Sequence, residues 1–493
     1  MLGASESNVM PAIEAALTRV NEALANTPWA SELAGVLPLT GFIDFIDTPT
    51  KLHIFELSGA VPLWSWPITP GDIRLLLSDA YLQSICCLDR FGSSLAWHAL
   101  DGRWGDSYPI INPETTRLCL ASQPITQIPN EHANMFEKNL RIQKLSIVHV
   151  TRSPGADRVP SDSWLRFLFL DPFWMYDARY FATSVFGWIL LIGLLVFCAM
   201  FRYYIALTFL LIMPSTGLVV SLIYGSRPKA LLVDRPSPFN RAVVVAEHMN
   251  ATEWTVFYGE SSIVNSLLNK QLESRRRPLP TKGYFILRLL LRLLTLGQWA
   301  MVLATLTLKD MNAFVVASWI IICVLSQTYL YPPECAAQTW MKKIGRIEMK
   351  RYETETSSRR ALLNTIMALN PDTFAEGTWE QLYSGALKWI NPILEPGQSR
   401  ADWEEATRAA MEEASQIPVE ELAAAKSLEV ESGILSDTWN EANERFYWKK
   451  FVHEGIYLAS KVMKEGGLPG RRVTPRSEQT APIVTAKKSE AAS

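Results

Sequence analysis

Phe181 to Phe201 reads FATSVFGWILLIGLLVFCAMF, and Ile205 to Tyr224 reads IALTFLLIMPSTGLVVSLIY; neither run carries a charge. At about 1.5 Å per helical residue, each covers the roughly 30 Å hydrocarbon core of a bilayer. A third run extends from Tyr284 to Leu308, with Arg288 and Arg292 in its first two turns, and a fourth from Asn312 to Tyr331, closed by Pro332-Pro333. One such run fits a buried core helix. Four of near-equal length predict a polytopic α-helical membrane protein. The links Arg202-Tyr203-Tyr204 and Lys309-Asp310-Met311 are so short that the spans read as two hairpins, 181–224 and 284–331. The remaining segments then share one side. In the 225–283 loop nine Lys and Arg stand against five acids, and Lys342, Lys343, Arg346, Lys350 and Arg351 follow the fourth span. That bias assigns the bulk, and both termini, to the cytosol.

Composition agrees with a membrane chain. Charged residues make up 19%, below the roughly 25% usual for soluble domains. A formal net charge of −2 excludes a globally basic nucleic-acid binder and an acidic disordered chain. The six Cys are too few and too scattered for a disulfide framework, which points to a reducing compartment. Residues 1–30 have neither a basic n-region nor an unbroken apolar core, so insertion by the first span is expected.

Residues 1–165 read as an α+β domain. KLHIFEL (51–57), AVPLWSWPI (60–68), TRLCLAS (116–122) and RIQKLSIVHV (141–150) look like strands between Pro, Gly and Asp punctuation, and 73–88 looks helical. Residues 166–180, rich in Trp and Tyr beside charges, suit the membrane interface. In the 225–283 loop, AVVVAEH (242–248) and EWTVFYG (253–259) flank a turn. A helix then starts at Ser261 with Ile263, Val264, Leu267, Leu268 and Leu272 on one face. The loop is therefore a ββα unit. Residues 332–465 read as helical: a juxtamembrane helix over about 334–369 ending at Asn370-Pro371, then helices at 376–390, 400–416 and 418–464. Leu435, Trp439, Ala442 and Phe446 form an apolar stripe in the last, which would seat a protein partner. The tail 466–493 has the composition of a disordered segment.

Motifs for chemistry are sparse. The six His make no i,i+4 pair, Cys86-Cys87 has no second CxxC, and Asp44 and Asp47 read as a solvated turn, so no metal or other cofactor is expected. Gly259-Glu260-Ser261-Ser262 lacks the closing glycine of GxSxG, and Ser261 reads as a helix start, leaving no catalytic residue to nominate. No Asp, Glu or His falls within the four apolar cores, which disfavours an ion-coupled transporter. Arg288 and Arg292 lie one turn apart and snorkel toward cytosolic headgroups in the simpler reading. With Arg275, Arg276 and Arg277 they are also the candidate site for an anionic lipid. Asn250-Ala251-Thr252 is an N-glycosylation sequon, unused if the loop is cytosolic.

The block Asn250 to Ser261, followed by Ile263 to Asn269, resembles a segment that recurs between two hydrophobic hairpins in uncharacterised multi-pass membrane proteins of filamentous fungi. The resemblance implies architecture and a fungal source, and no reaction. The functional expectation is a non-enzymatic, membrane-anchored scaffold or interaction protein whose partners are membrane lipids and a protein, not nucleic acid. The alternative is a membrane-associated enzyme or transport accessory handling a lipophilic metabolite, those of secondary metabolism included.

Overall fold

The computed structural model describes residues 26–43, 48–58, 61–68, 97–131, 141–153, 178–224, 229–232, 235–272, 281–308, 310–372, 387–398, 400–405, 407 and 449–468, with isolated positions in 15–23. The strands are β1 (His98–Asp101), β2 (Ser107–Pro109), β3 (Ile125–Gln127), β4 (Gln143–Arg152), β5 (Asn240–Ala246), β6 (Glu253–Glu260) and β7 (Ile347–Thr356). Before the first span come helices α1 (Pro28–Ile43), α2 (Thr48–Ser58) and α3 (Pro113–Ala121). Helices α4 (Ala178–Met200), α5 (Tyr204–Tyr224), α6 (Ser261–Asn269), α7 (Thr281–Leu308) and α8 (Met311–Leu325) follow, then α9 (Pro333–Trp340), α10 (Arg359–Leu369) and α11 (Lys449–Gly466).

Four helices are long and apolar enough to cross a membrane: α4, α5, α7, and α8 extended by the wider turn Ser326–Leu330. Their outward faces carry large apolar side chains such as Ile189, Ile192, Leu218, Leu293, Leu296 and Ile321. These helices are consistent with an integral membrane protein. Between α4 and α5, Arg202 takes a positive φ of 59° and the Tyr203 N–H donates back to the Cys198 carbonyl. Between α7 and α8, the Asp310 carboxylate caps α8 by accepting from the Asn312 N–H at 3.0 Å. These two turns meet, because the Ala206 N–H donates to Asn312 Oδ1 at 3.1 Å.

Outside the spans lies one seven-stranded mixed sheet in the order β2-β1-β5-β6-β4-β7-β3. Its strands come from three parts of the chain: β1–β4 precede the first span, β5 and β6 lie between the second and third, and β7 follows the fourth. Strand β4 lies inside the sheet, parallel to β6 (Lys144 opposite Glu253) and antiparallel to β7 (Gln143 opposite Thr356, Arg152 opposite Ile347). Both of its faces carry buried apolar residues, Leu145 and Ile147 on one and Val148 and Val150 on the other. Leu145 and Ile147 join the core under α10, α11, Trp389 and Trp403; Val148 and Val150 join the core with α6, Cys119 of α3, Trp340 of α9 and Leu57 of α2. Leu118 packs both on this second core and on the cluster of Leu52, Phe55, Trp66, Val219 and Leu291, which joins the sheet layer to the membrane helices.

Several sequence expectations are met: β4 (Gln143–Arg152) covers most of the expected strand 141–150, and β5 and β6 form an antiparallel hairpin that runs into α6 with Ile263, Val264, Leu267 and Leu268 buried. Others are corrected. The expected strand 51–57 is helix α2, whose Leu52, Ile54, Phe55 and Leu57 are all buried, so burial around much of the helix hides its period. The expected strand 60–68 is irregular over 61–68, and 116–122 lies mostly in α3, opened by Pro113 at its first turn. The juxtamembrane helix is interrupted: α9 gives way to the turn Met341–Gly345, then to β7, and only Arg359–Leu369 returns to helix. Pairing with β4 over ten residues overrides the helical propensity of IEMKRYETET. The helix expected over 73–88, the stripe Leu435–Phe446, most of 376–448, Asp44, Asp47, Cys86, Cys87 and the tail beyond 468 lie outside the described residues.

Candidate functional site within the helix bundle

The segment 61–68, VPLWSWPI, enters the bundle of apolar helices. Trp64 and Trp66 are fully buried, and Trp64 packs on Trp319 of α8 with ring centroids 5.6 Å apart. Two glycines make room for it. A Cβ on Gly187 of α4 would lie 2.1 Å from the Trp64 indole, and one on Gly217 of α5 would lie 2.1 Å from the Leu63 carbonyl oxygen. Gly187 is nine residues into α4 and Gly217 seven from the end of α5. The segment therefore reaches about 10 to 14 Å along the apolar helices from their sheet end.

Irregular backbone at that depth persists only when its polar groups find partners inside the protein. Gln298 of α7 supplies them. Its Oε1 accepts from the Ile68 N–H at 3.1 Å, while its Nε2 donates to the Trp66 carbonyl at 3.1 Å and to Thr216 Oγ1 of α5 at 2.9 Å. One side-chain amide thus ties 61–68 to two spans. A second anchor is Lys51 of α2, only 3% exposed, whose ammonium donates to the Ser65 carbonyl and lies 4.7 Å from the Trp66 ring centroid. Among the described residues, the indole N–H groups of Trp64, Trp66 and Trp319 have no hydrogen-bond acceptor.

At the sheet end of this segment, Glu56 of α2 pairs with Lys229 at 2.5 Å, and the Trp340 indole donates to the Lys229 carbonyl at 2.7 Å. His53 lies 3.3 Å from Thr115 Oγ1 of α3. Burial pushes its pKa down to about 4, Lys229 adding to the shift and Glu56 opposing it, so the ring is neutral near pH 7.

The residues singled out by sequence lie elsewhere. Arg288 is half-buried with its guanidinium 4.9 Å from the Tyr284 ring centroid, and Arg292, one turn on, is exposed. Arg275, Arg276 and Arg277 lie outside the described residues. Asn250 sits in the exposed β5–β6 turn and its Oδ1 accepts from Arg359 at 3.0 Å. Glu260 stands at the start of α6 and its carboxylate pairs with Arg152 at 2.8 Å and accepts from the Ser237 N–H at 3.0 Å and from Ser262 Oγ, so Gly259-Glu260-Ser261-Ser262 holds β4 and α6 together. Sequence reading missed Gln298 and Lys51. The available signal was a run of two Trp and two Pro inside an apolar stretch, joined to an amide in the middle of a span.

A second polar cluster stands at the β1–β2 turn. Arg241 grips Asp101 through two hydrogen bonds, Arg103 lies 3.9 Å from Asp372, and Asn370 donates to the Gly102 carbonyl at 2.8 Å. Burial pushes the Asp372 carboxyl up to about 6, with Arg103 and Arg241 opposing and Asp101 reinforcing. Among the described residues no three His, Cys, Asp or Glu side chains cluster to hold a metal. No family model, curated protein or solved structure matches this chain.

Proposed function

We propose that the protein is a membrane-anchored scaffold: α4–α5 and α7–α8 cross the bilayer as two hairpins, and the sheet with the C-terminal region forms one cytosolic body that receives a protein partner. The observation that carries this reading is the sheet. Strands from before, between and after the two helix pairs share it, which is compatible with an even number of crossings between each contributing segment. The excess of Lys and Arg in 225–283 and after α8 favours the cytosol for that side. Likeness of the 250–269 block to fungal multi-pass proteins is in keeping with this architecture. Arg288 and Arg292, with the neighbouring Arg275 to Arg277, are assigned to anionic lipid headgroups.

A second reading, a carrier or enzyme for a lipophilic metabolite, draws on the three buried indole donors around 61–68, which an acceptor-bearing ligand would satisfy. Purification in mild detergent, with mass spectrometry of everything retained, separates the two. A stoichiometric protein partner is expected. A stoichiometric small molecule with no protein partner would replace the first reading by the second. For the arginines, Arg288→Lys with Arg292→Lys should reduce the anionic lipid retained, since Lys offers a point charge where Arg offers a fork. Unchanged retention would leave them as snorkelling residues.

A further inference from the structure

Helix α1 was expected to belong to a cytosolic domain, but its packing is that of a membrane helix. It lies along α7 and α8 and is the principal helical neighbour of α8. Its one ionisable residue is Glu32, exposed near the Trp29 end; from Leu33 to Ile43 its sequence, LAGVLPLTGFI, has none. Ala34 and Pro38 are buried, whereas Trp29, Leu33 and Val36, spaced four and three apart, are 69%, 43% and 55% exposed. In water such a face would be costly. It continues, however, the outward apolar surface of the two helices α1 packs on, where Leu293, Leu296, Leu303, Ile321 and Leu325 are exposed in the same way.

Its direction follows from its neighbours. Helix α2 begins at Thr48, five residues after Ile43, and packs on α9, which follows the last span at the sheet end of the bundle. Ile43 is therefore at the sheet end. The sixteen residues of α1 rise about 24 Å at about 1.5 Å per residue, approaching the roughly 30 Å of a hydrocarbon core. Pro28 lies toward the end where the α4–α5 and α7–α8 turns meet, and Trp29 falls where interfacial tryptophans concentrate. The helical pattern continues upstream, with Asn26 N–H donating to the Glu22 carbonyl and Thr27 Oγ1 to the Ala23 carbonyl.

We propose that α1 is a fifth membrane helix, its Leu33–Val36 face in contact with lipid acyl chains and its Trp29 and Glu32 at the headgroups of the far leaflet, and that it places the residues before Pro28 on the opposite side of the membrane from the sheet. The two termini then lie on different sides. Segment 61–68 is the return of the same intramembrane unit, dipping from α2 into the bundle between α4, α5 and α7.

The test uses the full chain with its six cysteines replaced and one thiol restored at a time: native Cys335, which is exposed just beyond the fourth span, or Asn26→Cys. Sealed vesicles with their cytosolic face outward are treated with a membrane-impermeant maleimide before and after permeabilisation. One thiol should react at once and the other only after permeabilisation. Equal reactivity of both in sealed vesicles, or equal protection of both, would overturn the fifth crossing. If Cys335 is the protected one, the crossing stands and the cytosolic assignment of the sheet falls. A second measurement leaves the folded chain intact. A sequon-bearing tag ahead of Met1, expressed in a glycosylating host, should gain a glycan while Asn250 gains none. Glycans on both, or on neither, would place the two on the same side.

Discussion

Replacing Gln298 by Met removes the amide that satisfies 61–68 while keeping the length and volume of the side chain. Three hydrogen bonds vanish, and the Ile68 N–H and the Trp66 carbonyl lose their partner inside the bundle. Thr216 is affected less, because its hydroxyl still donates to the Ile212 carbonyl at 2.8 Å. Interhelical hydrogen bonds in membranes average about 0.6 kcal/mol each, which sets a floor near 2 kcal/mol. Each orphaned buried group costs about 1–3 kcal/mol, so the pair sets a ceiling near 6 kcal/mol. A loss of about 2–4 kcal/mol is expected, since the reference state in detergent re-solvates some of these groups. The assay is unfolding by SDS titration in mixed micelles, with Thr305→Val as control. Thr305 is equally buried but bonds only to the Val302 carbonyl of its own helix, at 2.6 Å. Its loss should cost less than about 1 kcal/mol. If Gln298→Met is no more destabilising than Thr305→Val, the amide does not hold 61–68 in the bundle.

Gly217→Ala should destabilise the membrane unit by about 1–3 kcal/mol in the same titration, because its Cβ meets the Leu63 carbonyl, whereas Gly193→Ala, with nothing within 4 Å, should be neutral or slightly stabilising. Equal effects would mean that 61–68 does not pass so close to α5. Asp372 has a folded pKa raised above its unfolded value of 3.8, so its contribution is fully favourable below that value and is lost as pH rises through about 6. Near pH 7 the buried carboxylate costs up to about 3 kcal/mol, and Asp372→Asn should raise thermal stability at about pH 7.5 and much less at about pH 4.5, where about a third of that cost remains. A melting temperature that shifts equally at both pH values would rule out the titration. Asn250 should carry no glycan: an N-glycosidase should leave the gel mobility of the wild type equal to that of Asn250→Gln, and a shift confined to the wild type would invert the topology.

The spans were legible because twenty uncharged apolar residues have few other uses. The β5–β6 hairpin and α6 were legible for a similar reason, their β-branched runs and apolar face being local signals. Strand β7 was not. Ile347, Met349, Tyr352, Thr354 and Thr356 point inward, but the Glu, Lys and Arg between them favour helix when no partner strand is known, and the partner lies about two hundred residues earlier. Nor does any local pattern mark Gln298 or Lys51 as anchors. The nearest positions they fix in Val61–Ile68 lie 230 and 14 residues away, respectively.

The central claim is that segments separated by pairs of membrane helices build one sheet. In native membranes, with the six cysteines replaced, Lys144→Cys is combined with Glu253→Cys to join β4 to β6, and Ser146→Cys with Glu353→Cys to join β4 to β7, each pair being direct neighbours in register. The control combines Lys144→Cys with Glu348→Cys, whose register partner on β4 is Thr151, about 23 Å farther along the strand. After treatment with a short thiol cross-linker, linked peptides are identified by mass spectrometry. Linkage within both neighbouring pairs and none in the displaced pair is the expected result. No linkage in either neighbouring pair, or equal linkage in the displaced one, would contradict the sheet and the shared side of the membrane that rests on it.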